Sequence, residues 1–353
     1  MRILLATAVA IAPLMAASGA MAEVVISNAR TTPITTANAT GSGPDSIRMT
    51  NGGTITVTSG AAITVNSSHN VNIEAGAVVT MANSADGSTG LLVNGGNSAD
   101  ITVTGGISVL DDITSSTDLD TDNDGDADGP WARGSNRYGI RVVGPAALDG
   151  DITVGRGGSI LVAGNDSAGI SIEAPLAGNL DVFGNVNIRG DNSYGIRTTG
   201  DVTGNVNLTG AVDARGENAV GIAVDGNVSG RLMIESTVTA SGFRYTGPLP
   251  VRPDGYVETP QNDKAVLFLD ELDPDDLLQG GPAVRVAGNI GGGVVFDRAP
   301  NYGTSGLEGD DDGDGIKNGD EDDDGDGIPN RTDTDRDGDG VLDANESTAT
   351  ITS

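Results

Sequence analysis

Apolar positions along this chain come in short alternating bursts separated by glycine, asparagine and aspartate, and no long segment keeps a helical spacing. A run such as GGTITVTSGAAITVNS alternates apolar and polar residues with a period of two. That spacing puts one face of a strand in a core and the other in solvent. Val, Ile, Thr and Ala carry most of the apolar content, and β-branched side chains suit a pleated, half-buried surface. The pattern predicts an all-β protein.

Between Arg133 and Ser241 the bursts recur. The segments RGSNRYGIRV, AGNDSAGISI, RGDNSYGIRT and RGENAVGIAV place Gly-Ile pairs at Gly139-Ile140, Gly169-Ile170, Gly195-Ile196 and Gly221-Ile222, in steps of 30, 26 and 26. Each pair is followed by a second short apolar run introduced by Gly and Asp or Asn, as in GNVNLTG, and then by a third, as in AVDARG. Three strands of about five residues, joined at three Gly/Asn/Asp corners, make one coil of a solenoid, and a period of this length marks a repeat architecture. One coil cannot bury its own apolar face, but stacked coils share a continuous core. The expected fold is a right-handed parallel β-helix, its hand following the general preference of parallel crossovers.

The pattern runs on in both directions. Gly90-Leu91-Leu92-Val93 marks an earlier coil, and AVRVAGNIGGGVVF (Ala283 to Phe296) aligns with GIAVDGNVSGRLMI (Gly221 to Ile234) at a constant offset. ESTVTAS (Glu235 to Ser241) returns as ESTATITS (Glu346 to Ser353). The expected organisation is therefore a signal peptide at 1–22, N-terminal coils at 23–110 and an acidic insert at 111–132. The regularly repeating coils follow at 133–241, an insertion at 242–281, a further coil at 282–296, acidic loops at 297–345 and the start of another strand at 346–353. The leader is read from Arg2, the apolar stretch Ile3 to Ala17 and the small-x-small site Ala20-Met21-Ala22 ahead of Glu23. A chain that stops inside a strand is expected to be the N-terminal part of a longer protein, because natural solenoids cap their open edges.

Composition sharpens this. Glycine supplies 54 of 353 residues, aromatics 3%, and there is no cysteine, which suits many tight turns around a thin core. An exported chain without disulfides draws its rigidity from stacking or metal. The formal charge is −31, which speaks against nucleic acid and for cations. By position, 34 of the 50 acidic residues fall within Asp111–Asp128, Asp254–Asp276 and Asp297–Glu346.

The last stretch has ligand spacing. DDDGDGIKNGDE fits D-x-[DN]-x-[DN]-G-x₅-E at every fixed position, with Asp310, Asp312, Asp314, Gly315 and Glu321. Carboxylates at alternate positions converge on one hard cation, the glycine permits the sharp turn, the seventh residue (Ile316) offers its carbonyl, Asn318 the ninth ligand, and the final Glu both oxygens. The next loop supplies Asp322, Asp324, Asp326, Ile328, Asn330 and Asp333, and the third Asp335, Asp337, Asp339, Val341, Asp343 and Glu346. With starts at Asp310, Asp322 and Asp335, each loop runs straight into the next, which leaves no room for flanking helices. A partial copy earlier in the chain, Asp120, Asp122, Asp124, Asp126 and Asp128, has Trp131 in the bidentate place and is expected to be a weaker site. The expected ion is Ca²⁺. Magnesium keeps its waters and seldom takes an all-protein cage. LDELDPDDLLQGG lacks this register and reads as a solvated loop or short helix beside the solenoid.

The tandem D-x-D-x-D-G-D-G-[IV] loops from Asp310 to Glu346 resemble thrombospondin type 3 repeats, without the cysteines of animal members. The leader, the Gly-Ile coils and LLQGGPAVRVAGNIGGGVVFD resemble the N-terminal passenger region of bacterial autotransporters. That resemblance implies an outer-membrane β-barrel translocator in the same chain, beyond the residues given. It also implies export to the cell surface or outer membrane. The expectation is a secreted or surface-bound structural and adhesive module, with calcium and a host or cell-surface glycan or protein as partners and no nucleic acid. The alternatives are a polysaccharide-active β-helix enzyme and a calcium-bridged surface-layer or matrix component. No catalytic set is assigned. Asp151, Asp181 and Arg197 read as isolated corner or surface residues, Tyr138 and Tyr194 as corner packing, and His69 as an exposed turn residue.

Overall fold

The computed structural model describes residues 23–112, 129–243, 250–257, 268 and 277–297. Within them the chain is a parallel β-helix. Strands fall in turn on three long sheets, and within each sheet the strand order simply follows the chain. The first sheet has nine strands from Glu23–Ile26 to Val294–Phe296. The second has eight, from Ala29–Arg30 to Val238–Ser241, and the third has eight, from Ile34–Thr35 to Val284–Val286. Every pairing is parallel, as one rung above another at about 4.8 Å requires.

Register explains the sequence spacing. Ile140 pairs with Ile170, Ile170 with Ile196 and Ile196 with Ile222, each partner lying one coil further along the chain. Leu91 lies under Ile140, and Ile222 under Val284 at the predicted offset. The Gly-Ile units therefore stand one above another, as expected. Their isoleucines form one column of the core, almost wholly buried from Ile63 to Ile222. Facing columns come from the second sheet (Ile55, Val79, Ile107, Ile160, Val186, Val212) and the first (Ile101, Ile152, Leu180, Val206, Leu232). Each such side chain contributes roughly 1.5–3 kcal/mol by its removal from water.

Two details differ from the expectation of three equal strands. Strands of the first sheet are mostly three residues long, as at Leu180–Val182 and Val206–Leu208. The return from the third sheet to the first also carries a narrow fourth side, Leu148–Asp149 on Leu176–Ala177, continued by bridges through Val202, Val228 and Ile290. Its residues Leu148, Leu176, Val202 and Val228 are buried, so this corner adds to the core.

The corners have their own chemistry. Three residues before each Gly-Ile or Gly-Leu glycine, the backbone turns left-handed at Gly87, Asn136, Asp166, Asn192 and Asn218, with φ between 51° and 78°. Glycine, Asn and Asp are the residues that tolerate that region best. Elsewhere side-chain oxygens bridge successive rungs. Asp100 Oδ1 accepts from Asp151 N at 3.1 Å, Asp151 Oδ1 from Asn179 N at 2.7 Å, Asn179 Oδ1 from Asn205 N at 2.8 Å, and Asn205 Oδ1 from Arg231 N at 2.9 Å. A second ladder runs from Asp201 through Asn227 to Asn289, and a third from Asn165 through Asp191 to Glu217. Turn amides left over by the sheets are satisfied in this way.

Candidate functional site

The residues assigned to calcium lie outside the described residues. These are Asp120 to Asp128 of the partial copy, and the three loops from Asp310 to Glu346. The expected leader at 1–22, the expected strand at 346–353 and most of LDELDPDDLLQGG lie outside them too. What the structure does describe is where these segments join the scaffold.

The acidic insert leaves after Gly106–Val109 of the second sheet and rejoins at Tyr138–Val143 of the third. The later insertion leaves after Val238–Ser241 of the second sheet and rejoins at Val284–Val286 of the third. Both interruptions therefore sit at the same corner, four rungs apart in the second sheet. The indole Nε1 of Trp131, at the end of the first, donates to Gly242 O at the start of the second at 3.0 Å. In the second, Arg252 stacks over the rings of Tyr256 and Phe268, which meet edge to face with centroids 4.8 Å apart. The segment containing the ligand-spaced acidic loops follows the first-sheet strand Val294–Phe296, with Asp297 N still donating to Ile234 O at 3.1 Å.

The base of the first insert is clamped. Asp111 is 6% exposed, and its Oδ2 accepts from Arg133 N at 2.6 Å, Gly134 N at 2.7 Å and Arg137 Nη1 at 3.3 Å. Arg137 is 4% exposed; its Nε donates to Ser84 Oγ at 2.9 Å and its Nη2 to Ser84 O. One carboxylate thus ties the start of the insert to both of its closing amides and to a buried guanidinium. Burial works against the charge of Asp111, but the amides of Gly134, Arg133 and Asp112, with a hydrogen bond from the Asp112 side chain, outweigh it and bring its pKa down to about 2. The neighbouring Asp112 is pushed up, first by its hydrogen bond with Asp111.

A second site was not anticipated. On the outer face of the third sheet, a cleft of about 480 Å³ is lined by Tyr138, Tyr194, Arg141 and Arg197, among others. Its origin is a break in a repeat. In register on three consecutive rungs stand Tyr138, Ala168 and Tyr194, and beside them Arg141, Ser171 and Arg197. The middle rung carries Ala and Ser where its neighbours carry Tyr and Arg, so a notch opens between two walls about 10 Å apart. The walls are ordered. Arg141 lies 4.1 Å from the Tyr138 ring centre and Arg197 4.6 Å from that of Tyr194. Arg141 forms a two-point pair with Glu173 at 2.7 and 3.0 Å, while Arg197 Nε reaches Asp225 at 3.4 Å. Ser171 Oγ donates to Glu173 Oε1 at 3.0 Å. Burial raises the phenol pKa of Tyr138.

Several readings of single residues change with this geometry. Tyr138 and Tyr194 stand just after the corner turns at Asn136 and Asn192 and line the cleft. Arg197 belongs to it too, Asp151 is a rung of an inter-coil ladder, and Asp181 accepts from Asn207 Nδ2 at 2.7 Å, so none of the three is isolated. His69 follows the bend at Ser67-Ser68, but it is half-buried and not exposed, with Nδ1 3.1 Å from Ser67 Oγ. The signal for the cleft was present in YGIR, AGIS and YGIR. It becomes legible only once these segments are known to be adjacent rungs. Compared with protein-family models, curated proteins and solved structures, the chain matches none, so its likeness to any family rests on the motifs and the fold alone.

Proposed function

We propose that this chain is an exported structural and adhesive module of a cell surface, the passenger part of a longer autotransporter-like protein, whose acidic loops bind calcium. The observation that carries the reading is the joining of ligand-spaced acidic segments to a rigid coil stack. Asp120–Asp128 interrupts, and Asp310–Glu346 follows, a run of rungs whose strands pair in register. The donor set suits the ion: carboxylates, an Asn and a carbonyl are hard oxygen ligands, and the glycine at the sixth place permits the turn. Asp310, Asp312, Asp314, Asn318 and Glu321 would hold one ion, and the two following loops the same in kind. So many carboxylates repel one another, and the cation neutralises them as the loop folds.

Calorimetric titration of the mature chain with calcium is the test. The expected result is saturable binding at roughly 10⁻⁴–10⁻³ M, the range of extracellular modules, and clear weakening in the triple variant Asp312→Asn, Asp324→Asn, Asp337→Asn. A chain that takes up no calcium at several millimolar ends this reading.

A further inference from the structure

We propose that the notch over Ala168 and Ser171 is a binding site for an uncharged glycan. This deepens the adhesive part of the reading above and rests on it. The argument is from the chemistry of the walls. Two tyrosine rings flank the notch, and an aromatic ring covers the C–H face of a sugar while its hydroxyl stays wet. Arg141, stacked over the Tyr138 ring on one wall, reaches across to Glu173 of the middle rung, with Ser171 hydrogen-bonded to the same carboxylate. A fixed guanidinium beside a fixed carboxylate offers donors and acceptors side by side, which is what vicinal hydroxyls require. A cleft of this size, with a few convergent polar groups, has room for a short oligosaccharide.

Other occupants fit less well. Glu173 offsets Arg141, Asp225 is shared by Arg197 and Arg285, and Asp166 adds a third carboxylate at the rim, so the guanidiniums are balanced locally while the chain as a whole carries −31. An anion therefore finds no net positive field. The strands beneath the notch are hydrogen-bonded to rungs on both sides, so no peptide can add there as a further strand. An apolar ligand would strand Ser171 and the ion pairs without water.

The test uses the mature full-length chain against neutral hexose and N-acetylhexosamine oligosaccharides, sulfated and uronic-acid oligosaccharides, inorganic phosphate and an acidic peptide, each with calcium and with chelator. Two variants accompany it. Ala168→Tyr fills the notch with the side chain that both neighbouring rungs already carry, and Tyr194→Ala removes one wall; thermal melts establish that each folds. The expected result is binding of one or more neutral oligosaccharides, at least tenfold weaker in both variants and unchanged by chelation, because the cleft contains none of the calcium loops. Binding of only the anionic probes or the peptide, no neutral saccharide retained at millimolar concentration, or binding indifferent to Ala168→Tyr would each overturn the proposal. Failure of calcium uptake with saccharide binding intact would sink the calcium reading alone.

Discussion

Gly195→Ala is expected to destabilise the coil stack by about 3 kcal/mol, the upper range for forcing one extra carbon into a packed interior. A Cβ at Gly195 would lie 2.4 Å from Val212 Cγ1 and 2.5 Å from Gly221 O. The valine can shift, but the carbonyl belongs to the next rung and moves only if the hydrogen-bonded sheet moves with it. The same collision recurs at Gly90, Gly139, Gly169 and Gly221, each against a second-sheet side chain at 2.3–2.4 Å and the backbone of the adjoining coil. The rungs from Gly90 to Gly221 keep glycine at this tight position, while the outer rungs carry Ala62 and Ala283 in the same register. Urea unfolding of the variant is the measurement, with Gly43→Ala as control. Gly43 meets only Thr40 Oγ1, at 3.9 Å, so the control is expected to stay within about 0.5 kcal/mol of the parent. Because coils contact mainly their neighbours, the lesion is also expected to split one unfolding transition into two. If Gly195→Ala unfolds together with the parent, the tight closure described for this corner is wrong.

Asp111→Ala is expected to cost about 3 kcal/mol, since removing one partner leaves a buried guanidinium with most of its compensation gone. Among the described carboxylates only Asp86, at 3.5 Å and largely exposed, would still pair with Arg137, beside the Ser84 and Ala163 oxygens. The amides of Arg133 and Gly134 would lose their acceptor as well. The acid response follows from the same site. A carboxyl held at about 2 in the folded chain, against an ordinary value near 4, stabilises the fold fully above about pH 4. That contribution is lost as the pH falls from there toward 2. In urea titrations at a series of pH values, the parent should lose stability through this window, and Asp111→Ala should lose about 1–3 kcal/mol less across it. Parallel pH profiles for the two proteins would show that Asp111 is not the titrating clamp.

Most of the architecture was legible because the coil repeats itself. The Gly-Ile pairs at 139, 169, 195 and 221 marked the rungs, and the likeness of Ala283–Phe296 to Gly221–Ile234 found the register across a long interruption. The fourth side was hidden, because Leu176, Val202 and Val228 are single apolar residues among turn residues and give no periodic signal. The cleft was hidden for another reason. Tyr138 and Tyr194 lie two coils apart in sequence and become neighbours only through Ala168, so the site is a property of stacking and not of any local motif. The acidic loops are the reverse case: their ligand-like spacing is wholly local, readable within a single loop, and owes nothing to the scaffold.

The rungs on either side of each interruption pair as though nothing lay between them: Leu91 meets Ile140 across the whole acidic insert just as Ile196 meets Ile222 across a plain coil. The folding code of this molecule is therefore indifferent to cargo at that edge. Segments there can lengthen, shorten or change their chemistry while the column beneath keeps the same isoleucines. A protein built this way can renew what it carries at that edge without reinventing what holds it up.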